Sequence, residues 1–479
     1  MNKTKALIDG RGGRFPGGGR FGYMQDPDWL RATAQDLAGF TPWVRGGGVS
    51  KYGVPLGPIK DSVGILQCDP ISWFERARLI SSPSAYILGL NGLGKSSLIR
   101  RWILMMAGFG VPALVLADLK GEHVGAVKAI GGQEVQLGRG LGRLNVLDLT
   151  EAIEAAKVLP TVQGDHLLAT ARGRRQAMIE SLFAIDWGHV PSSRECSMLA
   201  AAVEVMDQTI VGEAEFSDLL QVIRSAPDAV QEVAVNRGDM AEYQRVTAEI
   251  ESTLVNWCKR RGLGEVFAGK TTARLVRGKS AVINVSHIDE DDVRLRAAAM
   301  VASWGVGFGQ IAIGHAYAAA GLEQYQPVMI YQDEMWQAIA LPGVAARYNS
   351  LTRLDRHKGV GRVMCSHSAG DPRTLSNQAD RAMAEGFLAK SGIVMMFGLP
   401  ESEMEHLEKT LRITGAEADY LTGLTTPPGY DTDGSQGHPG RGKALCKAGP
   451  NLPGIPFELQ FLPAEKGDLN DTNRLWKMK

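Results

Sequence analysis

The residues of this sequence whose types and spacing most directly imply chemistry are Gly89-x-x-x-x-Gly94-Lys95-Ser96, inside Tyr86-Ile-Leu-Gly-Leu-Asn-Gly-Leu-Gly-Lys-Ser-Ser-Leu-Ile-Arg100. Glycines at those places let the backbone curl, so that N–H groups of the loop Gly89, Leu90, Asn91, Gly92, Leu93 and Gly94 face one anion. Lys95 brings positive charge to a β/γ-phosphate, the Ser96 hydroxyl is a ligand for Mg²⁺, and Ser97 is counted with the loop as a phosphate contact. This is the Walker A spacing. A helix starting near Lys95 aims its N-terminal dipole at the same anion.

A phosphate loop binds a nucleotide; hydrolysis also needs a metal partner and a group that orients water. Pro327-Val-Met-Ile-Tyr-Gln-Asp-Glu334 supplies both at the end of an apolar run. Asp333 is assigned to Mg²⁺ through its water shell and Glu334 to the attacking water; the plainer alternative is a solvated strand end. His367 follows Gly361-Arg-Val-Met-Cys-Ser366 and is either a sensor of the γ-phosphate or a structural histidine. Thr352-Arg-Leu-Asp-Arg-His-Lys358 is dense in cations. Arg353 or Arg356 could neutralise transition-state charge in a neighbouring subunit, or both could be surface helix charges.

These groups need strands that end on one side of a sheet. Val111 to Asp118 is a continuous apolar run closing in charge at Asp118 and Glu122, as a buried parallel strand does at its carboxyl end. Ligands of open α/β sheets lie at those ends. Glu134–Leu137, Ser280–Ser286, Ile393–Phe397 and Lys443–Cys446 are further strands. Residues 150–265 have few glycines and repeated 3.6-residue apolar spacing, which predicts a helical subdomain inserted between strands. The expected fold is an α/β sheet covered by helices on both faces. It comprises residues 51–149, the insertion 150–265, and 266–479 with a C-terminal tail at 471–476. Residues 1–50, with Arg11-Gly-Gly-Arg-Phe-Pro-Gly-Gly-Gly-Arg20, read as a flexible arm around one short helix. That arm either tracks a nucleic acid or an acidic partner, or is a solvated tail.

With 52 basic and 52 acidic residues the formal charge is zero, so bulk positive potential is excluded and any DNA contact must be local. The five cysteines are far apart and odd in number, which excludes a disulfide framework or zinc site and fits a reducing cytoplasm. The first forty residues hold no apolar signal core. Gly305–Leu322 is interrupted by Gln310, His315 and glycines and reads as a buried helix instead of a membrane span.

The order of these motifs resembles the HerA/FtsK superfamily of hexameric motors, and in particular the large conjugation ATPase of type IV secretion systems. The resemblance rests on Gly53-Val-Pro-Leu-Gly57 with Asp69-Pro70; on Asp118-Leu-Lys-Gly-Glu122, Ile130-Gly-Gly132 and Leu144-Asn-Val-Leu-Asp148; on Ile330-Tyr-Gln-Asp-Glu-Met-Trp336; and on Arg353 through His367. It spans about residues 50–475. The family's usual threonine-glutamine is Ser366-His367 here, as in actinobacterial-type members, and its asparagine-proline is Asn145-Val146. With about fifty residues before the lead-in, the large N-terminal docking domain of many members is expected to be absent or encoded elsewhere.

The resemblance implies a RecA/FtsK-like P-loop NTPase with ATP and Mg²⁺ as its cofactors and no other small-molecule substrate. It also implies a homohexamer, with DNA and secretion-channel components as partners, in the cytoplasm or peripheral at the inner face of the membrane. A DNA-pumping translocase of the same superfamily, or a nucleotide-gated structural subunit with little turnover, are the alternatives.

Overall fold

Apolar residues fill both alternating positions of the central strands, which dictates a sheet buried on both faces. In the computed structural model, β1 (Pro55–Pro58) and β2 (Ile65–Gln67) form an antiparallel hairpin, followed by helix α1 (Pro70–Glu75). Then come β3 (Ser84–Leu88), α2 (Lys95–Gly108), β4 (Ala113–Asp118), α3 (Val124–Ala129) and β5 (Gln133–Gln136). Between β5 and β6 (Ala281–Asn284) the named elements are all helical: α4 (Thr150–Val158), α5 (Thr161–Trp187), α6 (Ser193–Thr209), α7 (Phe216–Ser225), α8 (Asp228–Ala234), α9 (Met240–Cys258) and α10 (Gly264–Phe267). The chain continues through α11 (Val293–Ala319), β7 (Val328–Gln332), α12 (Trp336–Ile339), α13 (Val344–Thr352), β8 (Val360–Cys365), α14 (Gln378–Ala389) and β9 (Ile393–Met396). It ends with α15 (Met404–Leu411), α16 (Gly415–Gly423), β10 (Lys443–Lys447) and β11 (Ile455–Glu458).

The structure describes residues 8–9, 12–13, 50–60, 62, 64–210, 212–352, 359–368, 370, 378–427, 438–449, 452–462 and 465. Arg353, Arg356, nearly all of the Gly/Arg-rich arm and the 471–476 tail lie outside them. The chain divides into two units, residues 1–48 and 49–479. In the first, Ile8–Asp9 pairs antiparallel with Gly12–Gly13. All that follows concerns the second.

Nine strands form one sheet in the order β11-β10-β9-β3-β8-β7-β4-β6-β5. From β9 to β5 every pair is parallel; β10 and β11 are antiparallel additions at one edge. The expected mostly parallel α/β sheet is therefore present. The edge strand Ile455–Glu458, with a proline in a four-residue run, carries too weak a period to be read from sequence.

Side chains alternate across the sheet with period two, and the core divides accordingly. Tyr86, Leu88, Leu114, Leu116, Ile330, Met364, Val394 and Met396 face one core, which extends into the helices α5, α6, α9 and α11. Ala85, Ile87, Ala113, Val115, Met329, Tyr331, Val363, Cys365 and Met395 face the other, filled by Leu98, Ile99, Trp102 and Ile103 of α2, Trp73 of α1 and the β1–β2 hairpin. Among the described residues α11 is the one helix long and apolar enough to cross a membrane, and 78% of its apolar window is buried in the protein. Its glycines explain the close packing. A Cβ on Gly307 would lie 2.7 Å from Leu116 of β4, and one on Gly305 2.6 Å from the Met178 sulfur of α5.

Asp69, fully buried, anchors the approach to the sheet. Its carboxylate accepts from Ser72 N at the start of α1 (2.7 Å) and from Val54 N (3.1 Å).

Candidate functional site

Because β3, β8, β7 and β4 are adjacent and parallel, the loops at their carboxyl ends converge: Gly89–Gly94 after β3, His367 after β8, Asp333–Glu334 after β7 and Asp118–Glu122 after β4. Met364 pairs with Gln332 across β8 and β7, which sets His367 and Glu334 almost level with one another. The loop glycines have left-handed or unusual backbone angles, with φ of 147° at Gly89, 78° at Gly92 and 121° at Gly94. A Cβ on Gly89 would approach Phe397 Cβ to 2.6 Å, so this glycine is fixed by packing as well as by conformation. Helix α2 starts at Lys95 without any side-chain cap, and the first-turn N–H groups of a helix have no intrahelical acceptor.

A cavity of about 210 Å³ opens over these loops. Its walls are Asn91, Gly92, Gly94, Lys95, Ser96 and Ser97 from the loop and helix, Lys120, Glu122, Asp333, Glu334 and His367 from the strand ends, and Arg100 and Arg441. Of the residues expected at the site, it thus brings together Lys95, Ser96, Asp333, Glu334 and His367. The same loop holds Gly89, Leu90 and Leu93 against the sheet: Leu90 N donates to Gly398 O, and Leu93 O accepts from Gly442 N.

Lys95 Nζ donates to Gly89 O (2.6 Å) and Leu90 O (3.2 Å) and lies 3.0 Å from His367 Nδ1. An ammonium has only donors, so Nδ1 must accept, and His367 Nε2–H then points at Glu334 Oε1, 2.7 Å away. The same oxygen accepts from Lys120 Nζ at 2.7 Å, and Oε2 accepts from Trp336 Nε1 at 2.8 Å. Glu334 is 3% exposed and has φ 52°, a left-handed conformation costing about 1–2 kcal/mol in a non-glycine residue. Burial acts to raise its carboxyl pKa, but the hydrogen bonds from His367 and Lys120 and the Lys120 charge outweigh it and hold the group below its ordinary value.

Asp333 is largely shielded, and that desolvation alone would raise its pKa. The hydrogen bond and charge of His123, with Nε2 3.4 Å from Oδ2, a bond from Cys365 and the Lys120 charge instead depress it strongly. Asp118 accepts from the backbone of Glu122 (3.2 Å) and His123 (2.8 Å), closing the turn after β4. Burial raises its pKa. The β4–β6 register shifts between Val115 and Asp118, and Ala117 has φ 69°. This irregularity re-aims the end of the strand toward the cavity.

A hard, oxygen-seeking cation fits this donor set. Ser96, Glu122 and Asp333 present side-chain oxygens around one cavity, and Glu122 Oε2 is buried without a hydrogen-bond partner. Lys95, the bare first turn of α2 and Arg441 suit a polyphosphate. Sequence reasoning placed Asp118 and Glu122 near the site but assigned nothing to Lys120, His123, Arg100, Trp336 or Arg441. Lys120 and Trp336 sit inside the motifs that were read, whereas Arg441 approaches from the β10 side with no local signal.

No protein-family model matches the sequence, and no curated protein matches it. Solved structures do resemble it. VirB4 of Thermoanaerobacter pseudethanolicus matches with a TM-score of 0.61 at 16% identity, covering 88% of this chain and 100% of that one. The plasmid coupling protein TrwB, in complex with the non-hydrolysable ATP analogue ADPNP, matches with a TM-score of 0.48 at 12% identity over 92% of this chain and 96% of that one. The likeness to VirB4 shows the fold: this chain has the P-loop NTPase fold of VirB4, a mostly parallel sheet flanked by helices.

Proposed function

We propose that the protein is an ATP-hydrolysing motor that powers conjugative DNA transfer or type IV secretion as a ring oligomer at the cytoplasmic side of the membrane. The observation that carries the hydrolytic reading is His367, which joins Lys95 to Glu334 across the cavity. The VirB4-like fold and the four resembling stretches support the secretion assignment. Its domains are the phosphate-loop part 51–149, the helical insertion 150–265 and the remainder 266–479.

In this reading the loop 89–94, Lys95 and Ser97 hold the phosphates, while Ser96 and Asp333 hold the metal. Bound Mg²⁺·ATP supplies the phosphoanhydride and a divalent charge that screens it. Glu334 orients the attacking water and takes its proton. His367 changes partners when Lys95 turns from the Gly89 and Leu90 carbonyls to a phosphate, and so reports loading to Glu334. Arg353 or Arg356 of a neighbouring subunit would complete the charge neutralisation.

A second reading, a nucleotide-gated subunit with little turnover, is favoured by the three donors that crowd the Glu334 carboxylate and weaken it as a base. Steady-state ATP turnover with and without DNA, together with sizing in ATP and Mg²⁺, tests the proposal. A motor of secretion gives Mg²⁺-dependent turnover and ring assembly, with little response to DNA. Turnover that rises several-fold with DNA points to a DNA-pumping translocase instead, and binding without turnover to the gated subunit.

A further inference from the structure

Arg100 and Glu122 face the cavity and use none of the partners that surround them. Arg100 lies on α2, four residues after Ser96, so the two side chains share one face of the helix one turn apart. Its guanidinium is on a residue only 4% exposed, yet among the described residues no hydrogen bond or ion pair engages it, and its Nε is a buried donor without an acceptor. Glu122 lines the same cavity, with its backbone N–H fixed by Asp118 Oδ1 and its Oε2 buried and unbonded. Burial lowers the Arg100 pKa, and among the charges opposing that effect Glu122 comes first, then Asp118 and Asp333. An opposite pair that lines one cavity of about 210 Å³ without hydrogen-bonding leaves the carboxylate free to accept from a bound water.

We propose that Glu122 is a further metal-positioning residue, accepting from the water shell of the cation that Ser96 and Asp333 hold, with Arg100 as the counter-charge that sets the cation's affinity. This rests on the nucleotide-binding reading of the site. The contrast with Glu334 is what separates the roles. Glu334 is held by Lys120, His367 and Trp336, whereas the Glu122 carboxylate has no protein donor among the described residues. Magnesium keeps several of its waters and engages one or two carboxylates, so a second acceptor beside Asp333 suits it. Arg100 repels the cation, and without it the acidic wall would hold metal more tightly.

The test measures the Mg²⁺ concentration giving half-maximal retention of a fluorescent ADP on the full-length protein, so it does not depend on turnover. Glu122→Gln, nearly isosteric, is expected to raise that concentration by about tenfold, with nucleotide binding in EDTA unchanged. Arg100→Met is expected to lower it. An unchanged Mg²⁺ requirement in Glu122→Gln, with Asp333→Asn raising it, overturns the proposal and leaves the nucleotide site standing. Retention of ADP by the wild type that is indifferent to Mg²⁺ would overturn the proposal alone, whereas no retention with or without Mg²⁺ would overturn the nucleotide-site reading and this proposal with it.

Discussion

The Lys120 ammonium lies 2.7 Å from Glu334 Oε1, pairing a half-exposed lysine with a carboxylate that is almost entirely buried. The pair joins the strand end of β4 to that of β7, and it has a direct kinetic consequence if Glu334 is the base. Lys120 is among the groups that hold the Glu334 pKa down. Replacing it by methionine is expected to raise that pKa, so the acid limb of the turnover profile moves to higher pH. A profile of ATP turnover against pH for wild type and Lys120→Met checks this; an acid limb that stays in place would assign Lys120 to the phosphates.

His367 is expected in the Nε2–H tautomer in the nucleotide-free protein, because Nδ1 accepts from Lys95 and Nε2 faces a carboxylate. Nitrogen NMR of labelled histidine reads the tautomer directly. His367→Phe, which removes both contacts, is expected to lower turnover by more than about tenfold while nucleotide binding persists. Loss of binding in step with turnover would make the histidine a scaffold for the loop.

The phosphate loop distinguishes its glycines. Gly89→Ala drives a Cβ to 2.6 Å from Phe397, whereas a Cβ at Gly92 meets nothing within 4 Å. Gly92→Ala is therefore expected to cost only about 1 kcal/mol for its left-handed backbone, and Gly89→Ala both stability and nucleotide binding. Thermal melts and binding of a fluorescent nucleotide compare the two.

Outside the lining of the cavity, Glu417 caps α16, accepts from Thr414 N at 2.7 Å and from Gly454 N, and pairs with the buried Lys447 at 3.3 Å. Burial would raise its pKa, but the backbone donors and Lys447 depress it below 4.5. Its stabilisation is thus fully present above that value and is lost as pH falls through the lower folded pKa. Glu417→Gln is expected to destabilise by about 3 kcal/mol at neutral pH, and the gap should narrow below about pH 4.5. Denaturant melts at several pH values measure it.

What could be read from the sequence was what is local. The Gly89–Ser96 spacing, the apolar run of β7 ending at Asp333–Glu334 and the apolar run of β4 closing at Asp118 each carry their own signal. The order of the strands does not. That β8 lies between β3 and β7 puts His367 within reach of both Lys95 and Glu334, and that β4 borders β7 puts Lys120 on Glu334 and His123 on Asp333. These contacts depend on parallel neighbours separated by long stretches of chain, including the whole helical block between β5 and β6. Arg100 illustrates the limit: a cation on a helix normally faces solvent, and only the packed structure turns it toward the carboxylates.

The central claim is that Lys95, Asp333 and Glu334 form one hydrolytic site. Its most direct test is steady-state ATP turnover of the wild type beside Lys95→Ala and Glu334→Gln, with nucleotide binding measured in parallel. Glu334→Gln is expected to bind nucleotide like the wild type while turnover falls about a hundredfold or more, and Lys95→Ala to lose both. Equal turnover in the wild type and Glu334→Gln would contradict the claim.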